Sequence, residues 1–184
     1  LQPQILNTLA KAADPDHSFL QFQNLLETLP SGVQIFSLFQ SNPHLLALLG
    51  DIVSIAPRLV AFLSGNGKLV DMLVTNNAEP HVSIDAFVME NPSLGFEQIM
   101  EELRLQVHEG QFQIGTRVLA EPVSAADQGK IYTKLAGQSV AALLPAAMDD
   151  IRRQYGDIPG AQLVILGMGK FGSGEMTLQS DLDI

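Results

Sequence analysis

The chain contains no cysteine among its 184 residues. This absence excludes disulfide bonds, a thiolate zinc site and a cysteine nucleophile. No apolar run approaches the length that a membrane-spanning helix needs, so we expect no membrane insertion. The lack of cysteine is also compatible with a reducing compartment, and we expect a cytoplasmic protein.

Positively charged residues are scarce. Lysine and arginine together number 10 against 20 aspartates and glutamates, which gives a formal net charge of −10. Non-specific binding to nucleic acid needs a basic surface that attracts phosphates, so we expect no nucleic-acid partner. A nucleotide site remains compatible with this charge, because a bound metal ion supplies positive charge locally.

Apolar residues make up 46% of the chain, and most recur at helical spacing. Asn42 followed by Pro43 predicts a helix start, with proline at the first helical position. Residues 76–92 predict a connection that carries one short helix. Ser93 is predicted to cap a helix that runs from Phe96 to Glu109.

A long helix is predicted in the second half of the chain. Ser124 and Asp127 form the pattern of a capping box, which marks its start. The apolar period continues to about Tyr155, where Gly156 ends it. Pro145 falls inside the pattern and should kink or divide the helix.

The most informative stretch is AQLVILGMGKFGSGEMTLQSDLDI, from Ala161 to Ile184. The run Leu163–Leu166 predicts a buried strand before a glycine-rich turn and a short helix. Ser180–Ile184 predicts a second strand. Residues two apart in a strand point to the same side, so we expect Asp181 and Asp183 to project together. Two adjacent carboxylates repel unless a cation lies between them, and their hard oxygens suit Mg²⁺.

Three nucleotide-binding patterns compete for this stretch. Gly167, Gly169 and Gly172 match the dinucleotide spacing, but the acids follow too early for that fold. A P-loop requires Gly-x₄-Gly-Lys-Ser/Thr, but Gly172 is followed by Ser173 and Gly174, with no lysine. The pattern of DNA polymerase β-type nucleotidyltransferases fits: an apolar residue, Gly-Ser, a seven-residue spacer and Asp-apolar-Asp-apolar, ending at Ile184.

The stretch also resembles the glycine-rich signature of a narrower family, the glutamine synthetase adenylyltransferases. Two positions depart mildly, because Phe171 and Ser173 stand where leucine and glycine are commoner. Eight positions of the signature match: Gly167, Gly169, Lys170, Gly172, Glu175, Ser180, Asp181 and Asp183.

The resemblance implies transfer of AMP from ATP to a tyrosine of glutamine synthetase, which regulates nitrogen assimilation. The two aspartates of the motif would be catalytic and would bind two Mg²⁺ ions. Gly169, Lys170, Gly172 and Ser173 would hold the ATP phosphates, with the amides of Gly172 and Ser173 at a helix N-terminus. Besides glutamine synthetase, the resemblance implies the PII signalling protein as a partner.

The expected fold is mainly α. A helical domain over residues 1–155 would lead into the truncated start of an α/β nucleotidyltransferase palm over residues 156–184. Both ends of the chain look cut, so we expect a fragment. The superfamily's third carboxylate would follow Ile184, and the fragment alone is expected to be inactive.

The family carries two nucleotidyltransferase units, of which the N-terminal one removes AMP and the C-terminal one adds it. The phrase LPSGVQIF, residues 29–36, favours the C-terminal, adenylylating half. Three alternatives stay open. In the first alternative the chain belongs to the deadenylylating half, which removes AMP by phosphorolysis. In the second it belongs to a nucleotidyltransferase that modifies another substrate. In the third alternative it is a helical interaction module that links the catalytic halves and binds glutamine synthetase or PII.

Overall fold

The computed structural model describes residues 2–28, 32–63, 66, 69, 72–73, 80–91, 93–157, 159–160 and 162–184. Within these residues the chain is mainly helical, as expected. The helices with described bounds are α1 (Gln2–Leu9), α2 (Pro15–Thr28), α3 (Gly32–Ser41), α4 (Pro43–Ile55), α5 (Pro57–Leu63), α6 (Asp85–Glu90), α7 (Phe96–Ala120), α8 (Ala125–Tyr155) and α9 (Gly169–Ser173). None of them is both long enough and apolar enough to cross a membrane.

The chain divides into two compact units, and the first comprises Leu1–Ala78 and Gly115–Pro122. Helix α4 is its centre and packs against α1, α2, α3 and α5. Glycine at position 50 lets α1 approach α4, because a Cβ there would overlap the methyl group of Thr8. The buried apolar side chains of this unit include Ile5, Leu9, Phe22, Leu25, Phe39, Leu45, Leu49, Ile52, Leu59 and Leu63.

The second unit comprises Glu79–Ile114 and Val123–Ile184. It contains α6, α8, α9 and most of α7. Gly110 of α7 lies against Leu135 of α8, since a Cβ on Gly110 would come within 2.7 Å of a Leu135 methyl group. Its buried apolar side chains include Val82, Ile84, Ile99, Leu103, Phe112, Tyr132, Leu135 and Met176.

The helix-capping predictions are confirmed in two places. Helix α4 has Asn42 as N-cap and proline directly after it. Helix α8 begins after Ser124, whose hydroxyl accepts the Asp127 N–H at 3.1 Å, and ends at Gly156 with φ +83°. Pro145 lies inside α8 without dividing it. The predicted domain boundary after residue 155 coincides with the end of this helix and stays a prediction.

Helix α7 differs from its prediction. It continues from Phe96 to Ala120, well past the predicted end at Glu109. Ser93 does not stand directly before it; the preceding residue is Gly95, whose N–H donates to Gln98 Oε1 at 2.9 Å. The predicted connection does carry a short helix, α6, while residues 76–79 and 92 lie outside the described residues.

The two predicted strands are absent from the described residues. Residues 162–168 and 180–184 are not assigned to strands, and the side chains of Leu163 and Leu166 are exposed rather than buried. One backbone hydrogen bond joins the segments, from Met168 N–H to Asp183 O at 2.9 Å. A strand pair needs a repeated ladder of such bonds, and two strands alone are marginally stable in water.

Candidate functional site

The signature forms a compact turn around α9. We call residues 167–175 the glycine turn. Helix α9 begins at Gly169 with φ +50° and stops at Gly174, which adopts a left-handed conformation with φ +77°. Glycine populates positive φ at no steric cost, so these two positions fix where the short helix starts and ends.

Asp183 lies directly beside the start of α9. Its backbone carbonyl accepts the Met168 N–H at 2.9 Å, which holds the end of the chain against the glycine turn. A Cβ atom on Gly169 would overlap Asp183 Oδ2. Glycine accommodates the carboxylate in the position it takes here, so the structure brings together two of the predicted site residues, Gly169 and Asp183.

Asp181 and Asp183 are both exposed, so both carboxylates are open to a ligand from solvent. A tight turn precedes them, in which Ser180 Oγ accepts the Thr177 N–H at 2.9 Å and the Ser180 N–H donates to Thr177 O at 3.1 Å. Among the described residues, no group of three or more histidine, aspartate or glutamate side chains is placed to hold a metal ion. The assignment of Asp181 and Asp183 as metal ligands stays a prediction.

Gly172 and Ser173 do not lie at a helix N-terminus, contrary to expectation. They form the last turn of α9, and the Gly172 N–H already donates to Met168 O at 2.7 Å. A Cβ on Gly172 would lie 2.5 Å from the Gly167 carbonyl oxygen, so the missing side chain permits a close backbone approach instead. Helix α9 starts three residues earlier than Gly172, at Gly169.

Lys170 is the predicted cationic residue of the site. Its side chain is exposed and makes no ion pair with any residue that the structure describes. Its carbonyl accepts the Glu175 N–H at 2.9 Å. Glu175 in turn accepts a hydrogen bond from the Ser173 hydroxyl at 3.1 Å, so the shape of the turn depends on bonds inside it.

Gly129 was not identified from the sequence as part of the site. It is buried in α8, and a Cβ there would lie 2.8 Å from the Gly174 carbonyl oxygen. Met176, which follows the turn, is also buried. The signal in the sequence is weak: a glycine on the apolar side of a helix, 45 positions before Gly174.

Known proteins match the chain over its whole length. The sequence profile of the glutamate-ammonia ligase adenylyltransferase family matches residues 47–184. A protein of Brucella melitensis biotype 1 is 35% identical over 190 residues, and one of Rhizobium meliloti is 33% identical over 194. Both are named bifunctional glutamine synthetase adenylyltransferase/adenylyl-removing enzyme, and the matches cover 100% of this chain and 19% of each relative. No solved structure matches significantly.

Proposed function

Because the chain belongs to the glutamate-ammonia ligase adenylyltransferase family, we propose that the longer protein containing it transfers AMP from ATP to a tyrosine of glutamine synthetase. The chain spans about a fifth of the length of its relatives. The observation that carries the proposal is the placement of Asp183 against Gly169 at the start of α9. That placement puts a carboxylate beside a turn whose sequence matches a nucleotidyltransferase signature.

Asp181 and Asp183 are the proposed Mg²⁺ ligands. Their donor atoms fit the ion, because Mg²⁺ prefers carboxylate oxygens and retains several waters, and both side chains are exposed to solvent. Mg²⁺ held by Asp181 and Asp183 would supply activation of the attacking oxygen and stabilisation of the charge on the pyrophosphate leaving group. The tight turn at Thr177–Ser180 fixes the approach of the aspartate segment to the glycine turn.

The phosphates of ATP are assigned to the start of α9 and its flanking side chains. The first amides of a helix have no partner within it, so those of Gly169 and Lys170 would donate to phosphate oxygens there. The Lys170 ammonium adds positive charge. Gly172 has no side chain, so its backbone can lie close to the Gly167 carbonyl oxygen and keep the turn compact. The Ser173 hydroxyl, which donates to Glu175 in the structure, would donate to a phosphate oxygen when ATP binds.

Residues 156–184 are proposed to begin the nucleotidyltransferase palm. The Met168–Asp183 hydrogen bond supports pairing of residues 162–168 with residues 180–184 in a larger sheet. Exposed apolar side chains in both segments, such as Val164 and Leu182, support a face that such a sheet would bury. We further propose that the protein is cytoplasmic, that the helical domain spans residues 1–155, and that PII binds the longer protein.

Radiolabel transfer tests this proposal on the full-length protein. The protein is incubated with Mg²⁺, ATP labelled at the α-phosphate and unmodified glutamine synthetase. In parallel, AMP-modified glutamine synthetase is offered with phosphate. We expect label on the synthetase, and we expect Asp181→Asn to lower its rate of appearance by about a hundredfold or more, as loss of an electrostatic catalytic group does.

The exposed carboxylate Asp16 supplies the control, because Asp16→Asn removes the same charge from α2, outside the candidate site. Loss of ADP release from modified synthetase in Asp181→Asn, with label transfer intact, would assign this chain to the adenylyl-removing half. Full activity of Asp181→Asn in both reactions would leave the helical interaction module as the function of this region.

A further inference from the structure

Gly129 marks a contact between α8 and the glycine turn. It is buried in the second turn of α8. A Cβ atom there would lie 2.8 Å from the Gly174 carbonyl oxygen, 3.0 Å from Glu175 Cα and 3.4 Å from the Glu175 carbonyl carbon. All three are backbone atoms, so no side-chain rotation relieves the overlap. A methyl group at this position forces either α8 or the turn to move.

The turn transmits such a displacement to the candidate site. The Glu175 N–H donates to Lys170 O at 2.9 Å, and the Gly174 N–H donates to Phe171 O at 3.3 Å. These bonds connect residues 174 and 175, which lie against Gly129, to helix α9. The first residue of α9, Gly169, lies beside Asp183. Met176 is buried directly after the turn, which limits movement on that side.

We propose that Gly129 is a positioning residue: its missing side chain lets the glycine turn seat on α8 and thereby sets the position of α9 relative to the substrate. The inference rests on the proposed function, since the turn is assigned to ATP. The three atoms nearest to a Cβ on Gly129 all belong to the backbone of the turn, so Gly129 acts through the turn and does not itself reach the substrate.

A second glycine in the same helix provides a matched comparison. Gly137 lies eight residues further along α8, and a Cβ there would meet nothing within 4 Å. Alanine is favoured over glycine in a helix interior, so Gly137→Ala supplies the same chemical change without the overlap. Only the variant at position 129 pushes on the turn.

The test compares full-length wild type, Gly129→Ala and Gly137→Ala in both the label-transfer and adenylyl-removal assays, with thermal unfolding measured alongside. We expect Gly129→Ala to lower kcat of the reaction assigned to this turn by about a hundredfold, the cost of a misplacement near 1 Å. The KM for ATP should stay unchanged, because the misplacement weakens interactions needed in the transition state. The other reaction and Gly137→Ala should match wild type.

Four results would overturn the inference. Equal kcat for the two alanine variants means that the contact between Gly129 and the turn does not position the turn. A fall in both reactions together, or failure of Gly129→Ala to fold, means that the contact is only structural. If wild type and Gly137→Ala transfer no label and remove no AMP, the proposed function itself fails and the inference falls with it.

Discussion

The first unit and the segment 162–184 use their apolar residues in opposite ways. In the first unit, Leu49 is 1% exposed and Leu63 is 0% exposed, and both lie among side chains from neighbouring helices. In the segment, Val164 is 83% exposed and Leu166 is 71% exposed. Burial of side chains holds the helical unit, whereas the glycine turn is held by hydrogen bonds and by close backbone approach at its glycines.

The difference predicts two kinds of sensitivity to mutation. A helix held by burial loses stability when a side chain shrinks, because a cavity replaces the lost contacts. The glycine turn should instead respond to side chains that grow, because Gly172 and Gly129 both face backbone atoms at short distance. Large-to-small changes test the first region, and glycine-to-alanine changes test the second.

Leu49→Ala should have the largest effect on stability. The side chain lies in α4, the central helix of its unit, and is almost fully buried. We expect the free energy of unfolding to fall by about 2 to 5 kcal/mol, measured by urea denaturation. Leu20→Ala on α2 is the control, since Leu20 is exposed and its truncation should cost no more than about 0.5 kcal/mol. Equal costs would contradict the division between core and surface.

The pKa of Tyr132 can be used to test whether water is excluded from the interior of the second unit, which carries the glycine turn. Burial raises the pKa of the Tyr132 phenol from 10.0 to about 12. The folded state therefore favours the neutral phenol, and the stability that this provides is complete below pH 10 and is lost as the pH rises towards about 12.

The chain has two tyrosines, so the exposed one can serve as the control for the buried one. Tyr132→Phe should remove this part of the decline in stability between pH 10 and about 12, followed by denaturation at each pH. Tyr155→Phe, at an exposed position, should leave the decline in place. An unchanged pH dependence in Tyr132→Phe would mean that the phenol is hydrated.

Val164→Ala should have the smallest effect. The side chain is exposed, so we expect a change in the free energy of unfolding within about 0.5 kcal/mol. Val60→Ala is the matched change at a buried position of α5, and it should cost about 1.5 kcal/mol for two lost methylene equivalents. A large cost at Val164 would show that residues 162–168 pack in solution and would remove the contrast between the two regions.

Local signals account for what could be predicted from the sequence. The start of α8 at Ser124 follows from a side chain that bonds an amide three residues away, and the signature residues of the glycine turn are contiguous. The extension of α7 past Glu109 was missed because Gly110 and Gly115 disfavour a helix when taken alone. Each instead accommodates a leucine, Gly110 within the second unit and Gly115 against Leu59 within the first.

In the candidate site, too, some features could be predicted from the local sequence and others depend on contacts between distant residues. The identity of its aspartates and glycines could be read from spacing, whereas the start of α9 at Gly169 depends on how the turn folds back on Asp183. The role of Gly129 depends on a contact between positions distant in sequence, which no local pattern encodes. No strand is assigned to residues 162–168 or 180–184, because an alternating pattern in the sequence does not by itself supply the ladder of hydrogen bonds that a sheet requires.

Helix α7 affects the order in which the two units can complete their folding during synthesis. Its residues up to Ile114 belong to the second unit, whereas Gly115–Pro122 belong to the first. A nascent chain that has reached residue 114 therefore still lacks part of the first unit, although it has already begun the second. The ribosome must add Gly115–Pro122 before Leu59 can make its contact with Gly115. The helices of the first unit thus complete their packing only after residues 79–114 of the second unit have been translated.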